Sequence, residues 1–102
     1  MKETLIAYLE KLKYALPVKC TRYNLQRLKI QWTDFRNFLT SLPEQLSELK
    51  NNFLLRLETV KLKIDAIEGI FGSWKEARFA FQEATGCLKS EMDAAIVKLQ
   101  AG

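Results

Sequence analysis

Few of the side chains that usually carry out chemistry occur in this sequence of 102 residues. It has no histidine, so the commonest general base and any Ser-His or Cys-His nucleophile pair are missing. Cys20 and Cys87 are the two cysteines. Cys20 lies close to Lys19 and Arg22, cations that can lower a thiol pKa and make the thiol nucleophilic. An unreactive, half-buried thiol explains Cys20 better, and we predict two free thiols rather than a disulfide.

Other groupings of reactive residue types have ordinary explanations. Ser47 and Lys50 match the Ser-x-x-Lys pattern of some acyl-enzymes, but the companion motifs are absent. Glu44 and Glu48 could share a helix face and raise one another's pKa, although a solvated face accounts for them. Two cysteines without histidine cannot complete a standard zinc site, and no glycine-rich phosphate loop occurs. We therefore predict a protein that is not an enzyme and needs no metal or cofactor.

Basic residues are concentrated in the first third of the chain. Residues 1–36 contain eight Lys or Arg and three acidic residues, whereas residues 37–102 contain eight and nine. Arg22, Lys29 and Arg36 are seven residues apart and would line one stripe of a helix. Lys19 and Arg27 lie nearby. Such a stripe could bind the phosphates of a nucleic acid or another polyanion in a salt-dependent way, or it could be a solvated face paired with acids of other helices.

Apolar residues are more numerous than regular helical stripes require. Those outside the main stripes that we select as an interface are Ile30, Phe38, Leu54, Leu55, Leu62 and Phe79. Leu55 and Leu62 are seven residues apart and would form a second stripe on one helix. Either this helix is central and touched by all the others, or some of these side chains form an exposed patch that binds a partner helix or a second copy.

Composition favours helices throughout. Apolar residues make up 48% and charged residues 27% of the chain, as in one globular domain, and only four Gly and two Pro interrupt it. Apolar residues recur at intervals of three and four, and in the second helix they form a heptad seam of the coiled-coil type. The predicted helices span about 2–16, 21–41, 43–71 and 74–100, and the third is the longest.

Turn residues predict where these helices begin and end. Pro17 ends the first helix, and Thr21 is a plausible N-cap of the second. Ser41 and Glu44 have the spacing of a capping box that would start the third helix. Alternation between residues 59 and 65 also resembles a strand, but the helical flanks outweigh it. Gly86 either lets a neighbouring helix approach closely or breaks the fourth helix, and both alternatives stay open.

These observations predict an all-α fold of one domain, residues 1–102. Connectors this short require antiparallel neighbours, so we expect an up-down antiparallel bundle of three long helices, with the shorter N-terminal helix covering one end. No signal-peptide pattern and no membrane-spanning apolar run is visible, so we expect a soluble, cytoplasmic protein. The predicted function is a helical interaction or assembly module whose partner is another protein or a second copy. The alternative is binding to a nucleic acid or other polyanion.

Overall fold

The computed structural model describes residues 2–101, which form four α-helices and one 3-10 turn. The elements are α1 (Lys2–Tyr14), α2 (Arg22–Thr40), the 3-10 turn (Glu44–Leu46), α3 (Ser47–Gly69) and α4 (Trp74–Ala101). Within residues 2–101 there is no strand, and residues 59–65 lie inside α3. The predicted all-α bundle is therefore confirmed.

Ion pairs between α3 and α4 show that these helices are antiparallel. Lys63 Nζ lies 3.1 Å from Glu83 Oε1, and Arg56 Nη1 lies 3.4 Å from Glu91 Oε2. Residue numbers therefore rise along α4 as they fall along α3. The short turn between the two helices requires this direction, because it leaves no room for the chain to return.

α2 and α3 are also antiparallel. Near the middle of the pair, the indole Nε1 of Trp32 donates a buried hydrogen bond of 2.8 Å to the carbonyl oxygen of Leu57. Nearer the start of α2, Lys29 forms an ion pair with Glu68, close to the end of α3. Trp32 thus buries its ring in the core while its single donor is satisfied by the neighbouring helix.

α4, rather than α3, is the longest helix and the centre of the bundle. It has 28 residues against 23 in α3, and it packs against each of the other three helices. The predicted third helix was too long because its first turn is 3-10 and its last residues form the turn before α4. In the described chain α3 packs on α2 and α4 but not on α1. One broad side of α3 is therefore left without a neighbouring helix.

α1 covers the core from the side of α4 and α2. Leu9 and Leu12 of α1 are buried, and Lys13 Nζ lies 2.7 Å from Asp93 Oδ1 on α4. The Lys13 pKa is raised because its ammonium group donates a hydrogen bond to that carboxylate. Four helices contribute to one continuous apolar core, to which α1 adds a small share.

Two helix boundaries agree with the sequence and one does not. Thr21 is the N-cap of α2, and its Oγ1 accepts a hydrogen bond of 3.0 Å from the backbone nitrogen of Asn24. α1 ends at Tyr14, before Pro17. The capping box predicted at Ser41 was wrong, because Ser41 closes α2 instead and its Oγ donates to the carbonyl of Phe38.

α4 is continuous through Gly86, so neither open alternative for this glycine is observed. No heavy atom of a neighbouring segment lies within 4 Å of the position that a Cβ would occupy. Gly86 therefore borders open space on the outside of the bundle.

Candidate binding surfaces

Four of the six predicted interface residues are on the surface. The exposed fractions are 75% for Leu55, 71% for Leu62, 68% for Phe79 and 60% for Ile30. Since a monomer gains nothing from solvating such side chains, they are the first candidates for contacts with another molecule.

The other two predicted interface residues, Phe38 and Leu54, are not on the exposed surface that the sequence predicted for them. Phe38 is buried because α1 packs over this part of α2, and its ring stacks on Tyr8 with centroids 5.3 Å apart. Leu54 is half-buried against the core. Both residues help to hold the bundle together and present no free apolar surface comparable with that of Leu55.

Leu55 and Leu62 define a surface that we call the α3 outer face. The core residues of α3 are Phe53, Leu57, Val60, Ile64 and Ile67. At 100° per residue, Leu55 and Leu62 lie close to the opposite side of the helix. Glu48, Glu58 and Asp65 are exposed on the same side, and Asp65 is paired with Lys61. This face is therefore apolar along its middle, with the unpaired Glu48 and Glu58 beside the leucines.

Ile30 and Phe79 do not extend the α3 outer face. Ile30 is five residues from both Leu25 and Phe35, which places it about 140° around α2 from each of these buried side chains. Phe79 is on the exposed side of α4. The predicted interface thus consists of one pair on α3 and two single residues on other helices.

The predicted basic stripe is largely occupied by contacts within the protein. Lys29 forms an ion pair with Glu68, whose pKa is lowered mainly because it accepts the hydrogen bond from Lys29. The Arg22 guanidinium lies over the ring of Phe71, 4.7 Å from its centroid. Two of the three cations at intervals of seven therefore hold α2 against α3 and the turn that follows it.

Arg27 has a different structural role. Its Nη2 donates a hydrogen bond of 3.1 Å to the carbonyl oxygen of Ala15, which also accepts one of 2.7 Å from Gln31 Nε2. These donors satisfy a carbonyl at the end of α1. Within residues 2–101, three members of the predicted set form no ion pair or side-chain hydrogen bond: Lys19, Arg22 and Arg36. Of these three, Arg22 is held by its contact with Phe71.

A second surface lies where the connector between α1 and α2 meets the start of α4. A depression of about 330 Å³ separates Val18 and Lys19 of the connector from Trp74, Arg78 and Gln82 of α4. Val18 is 82% exposed and Trp74 56% exposed. The sequence did not indicate this surface, because its two sides are more than fifty residues apart along the chain.

A neighbouring depression continues the second surface along α4. It has a volume of about 360 Å³, and its lining includes Tyr14, Val18, Gln82 and Lys89. Val18 and Gln82 line both depressions, so the two are adjacent, and we call them together the connector trough. Gly86 lines the second depression, and its missing side chain helps to keep the hollow open.

The connector trough is basic and carries exposed aromatic rings. Four cations line it, and no carboxylate does. One of them, Lys13, is paired with Asp93, whereas Lys19, Arg78 and Lys89 form no ion pair in the described chain. Tyr14 lines the second depression and is 78% exposed, and the Lys13 ammonium lies 4.8 Å from the centroid of its ring.

Hydrogen bonds fix the connector that forms one wall of the trough. At its start, Ala15 accepts the bonds from Arg27 and Gln31. At its end, the side chain of Asn24 donates a bond of 2.8 Å to the carbonyl oxygen of Lys19. The connector is therefore held by α2 at both ends and needs little rearrangement to present its outward side chains.

The two cysteines are free thiols, as the sequence predicted. Cys20 is 4% exposed, and burial raises the pKa of its thiol. The structure therefore agrees with the unreactive thiol favoured from the sequence rather than with the reactive alternative. Cys87 is half-buried in a groove of about 540 Å³ between α3 and α4.

Residues 2–101 contain neither a metal-binding cluster nor a membrane-spanning helix. Among residues 2–101 no group of three or more His, Cys, Asp or Glu could hold a metal ion. None of the helices formed by these residues combines the length and the apolar character needed to cross a membrane.

The fold and its surfaces define an all-α helical bundle whose candidate sites are an acidic, apolar helix face and a basic, aromatic trough. Comparison with known proteins adds no further assignment: no family model, no curated protein and no solved structure matches the chain.

Proposed function

We propose that this protein is a non-enzymatic helical interaction module that binds a helix of another protein along the α3 outer face. The exposure of Leu55 and Leu62 is the observation that carries the proposal. An amphipathic helix that docks on such a face buries apolar side chains spaced by about two helical turns on both partners.

The packing of the bundle supports this assignment. α3 already contributes five buried side chains to the core, so its two exposed leucines are not needed to complete that core. No helix of the described chain covers them, because α1 lies on the far side against α4 and α2. A partner helix would occupy the side of α3 that the fold leaves open.

The charges beside the leucines indicate the chemistry of the partner. Glu48 and Glu58 are exposed and form no ion pair within residues 2–101. A helix with apolar residues flanked by Lys or Arg would match this face, whereas a second α3 would bring acidic residues close to acidic residues. A basic amphipathic helix of another protein is therefore the partner that we favour over a second copy.

The size of the apolar stripe limits the expected affinity for a partner helix. Burying two leucine side chains contributes about 3–6 kcal/mol before the costs of association. Even before those costs, this contribution corresponds to a dissociation constant of roughly 6 mM to 40 μM, so micromolar binding requires that the partner also contacts the surrounding polar residues.

The test uses a synthetic helical peptide with a leucine stripe flanked by lysines, measured by fluorescence anisotropy. Leu55→Glu with Leu62→Glu should weaken binding by at least about 100-fold, because each exposed apolar contact is replaced by a charge. Circular dichroism should show an unchanged helix content, since neither side chain is part of the core.

The matched control is Ile30→Glu with Phe79→Glu, which places two charges on other exposed apolar positions. This control should bind the peptide as the parent does. Equal binding by both double variants would contradict the α3 assignment. Light scattering over a range of concentrations adds a second test, because a dimer abolished by the α3 double variant would identify a second copy, rather than another protein, as the occupant.

A further inference from the structure

We infer that the connector trough binds single-stranded nucleic acid, with its cations along the phosphates and its aromatic rings against the bases. The sequence suggested polyanion binding by the stripe on α2, but three of that stripe's cations hold the bundle together through Glu68, Phe71 and Ala15. The inferred site therefore lies elsewhere and retains only Lys19 of the predicted set.

Charge complementarity is the first argument for this ligand. Lys19, Arg78 and Lys89 line the trough, and no carboxylate lines it. Elsewhere on the bundle, Arg56 and Lys63 are each paired with a glutamate, whereas Lys11, Arg36 and Lys98 are unpaired but lie outside the trough. The trough thus concentrates unneutralised positive charge in a hollow, which is where a ligand with repeated negative charges is held most strongly.

The aromatic side chains distinguish among polyanions. Trp74 lines one end of the trough and Tyr14 the other, and both rings are more than half exposed. Bases of a single strand can stack on such rings whatever their sequence, and this stacking adds to the attraction of the phosphates. An acidic protein segment would use the cations but would have no comparable use for two solvated rings.

The shape of the site favours a strand over a membrane surface. The two depressions are adjacent along α4, and from Trp74 to Lys89 the helix rises by about 22 Å. A flat anionic bilayer would meet the rims of such a hollow rather than its lining. A flexible single strand can follow it and contact the cations in turn.

The wall of the trough is held in place before any ligand binds. The connector is hydrogen-bonded to α2 at Ala15 and at Lys19, and Thr21 caps the helix that follows. Binding therefore needs to order little beyond the lysine and arginine side chains, which lowers its entropic cost.

The test measures binding of a fluorescently labelled oligothymidylate to the full chain by anisotropy at several salt concentrations. If three phosphates are contacted, the logarithm of the binding constant should fall with the logarithm of salt concentration with a slope of about −2. Lys19→Gln with Arg78→Gln and Lys89→Gln should bring that slope close to zero and weaken binding by at least about tenfold at low salt.

A matched variant removes three positive charges elsewhere: Lys11→Gln, Arg36→Gln and Lys98→Gln. These cations form no ion pair in the described chain and lie outside the trough. The matched variant should keep the slope and most of the affinity. Equal losses in the two triple variants would overturn the site, because net charge alone would then explain the binding.

The aromatic contribution is tested separately with Tyr14→Ala and Trp74→Ala. Each should weaken oligothymidylate binding by about tenfold, since stacking contributes substantially per base. Both side chains are exposed, so folding should be unaffected. Unchanged affinity in both variants, no binding of oligothymidylate at low salt, or preference for polyglutamate or for vesicles containing phosphatidylserine would each overturn the inference.

Discussion

The α3 outer face and the connector trough are both solvent-exposed, yet they differ in charge, shape and origin. The face is convex, lies on one helix, and places two leucines beside the unpaired Glu48 and Glu58. The trough is concave, is shared by a connector and α4, and places aromatic rings among unpaired cations. The net charge of +4 describes neither surface. Local pairing of charges, rather than their total, decides which ligand each surface suits.

The largest expected effect is a difference in stability between substitutions on the buried side of α3 and on its outer face. Leu57 is 1% exposed and Leu55 is 75% exposed. Leu57→Ala should lower the free energy of unfolding by about 2–5 kcal/mol, because it removes buried contacts and leaves a cavity. Leu55→Ala should change it by about 0.5 kcal/mol or less. Urea unfolding of the two variants measures both values, and similar losses would mean that Leu55 belongs to the core.

A smaller loss of stability is expected at Thr21, which lines the connector trough and caps α2. Thr21→Ala removes the hydroxyl that accepts a hydrogen bond from the backbone of Asn24. The free energy of unfolding should fall by about 1 kcal/mol, the usual contribution of an N-cap side chain. Thr21→Ser retains the hydroxyl and serves as the control. If the trough is pre-built, Thr21→Ala should also weaken oligothymidylate binding, whereas unchanged binding would show that the connector need not be fixed.

At Gly86, which lines the trough, a substitution should raise the stability of the protein instead of lowering it. Gly86 lies within the continuous α4, and an added Cβ would meet no atom within 4 Å. Gly86→Ala should therefore stabilise the protein by about 0.5–1 kcal/mol, because alanine loses less conformational entropy in a helix. Thermal unfolding gives the measurement. A loss of stability would indicate that α4 bends at this position or that another segment lies close to it.

The two surfaces differ in how far the sequence could predict them. The shared face of Leu55 and Leu62 could be predicted because residues seven apart on one helix lie on the same side of it, independently of how that helix packs. Phe38 has a similar off-stripe position, but it is buried by α1, and no periodicity within α2 could show where α1 would lie. The helices themselves followed from composition and turn residues, with errors at Ser41 and at the ends of α3, where local signals compete.

The trough lay beyond sequence reasoning for a physical reason. Lys19 and Arg78 come together only because α4 returns past the connector, and nothing in either segment encodes that approach. The cations of α2 presented the opposite problem, because they form a clear pattern in the sequence, yet the fold supplies Glu68 and Phe71 as partners for two of them. Pairing across helices depends on register, which the sequence alone does not reveal.

The smallest expected effect on stability tests whether Lys29 of α2 is paired with Glu68 of α3. The hydrogen bond from Lys29 lowers the pKa of Glu68 in the folded protein below its ordinary value of 4.5. An acid with a lowered pKa stabilises the fold above its unfolded pKa, and this contribution is lost as the pH falls through the folded value. Glu68→Gln should therefore be slightly less stable than the parent at neutral pH. The difference should disappear on acidification below the lowered pKa.

Glu58→Gln is the matched control, because it removes an equivalent charge from α3 at a residue that has no ion pair in the described chain. Urea unfolding at several pH values compares the two variants with the parent. A pH-dependent difference confined to Glu68→Gln would show that Lys29 is held by α3. Oligothymidylate binding by Glu68→Gln completes the comparison: stronger binding would mean that freeing Lys29 restores the α2 stripe as a phosphate site, whereas unchanged binding would leave the connector trough as the surface where the cations are free.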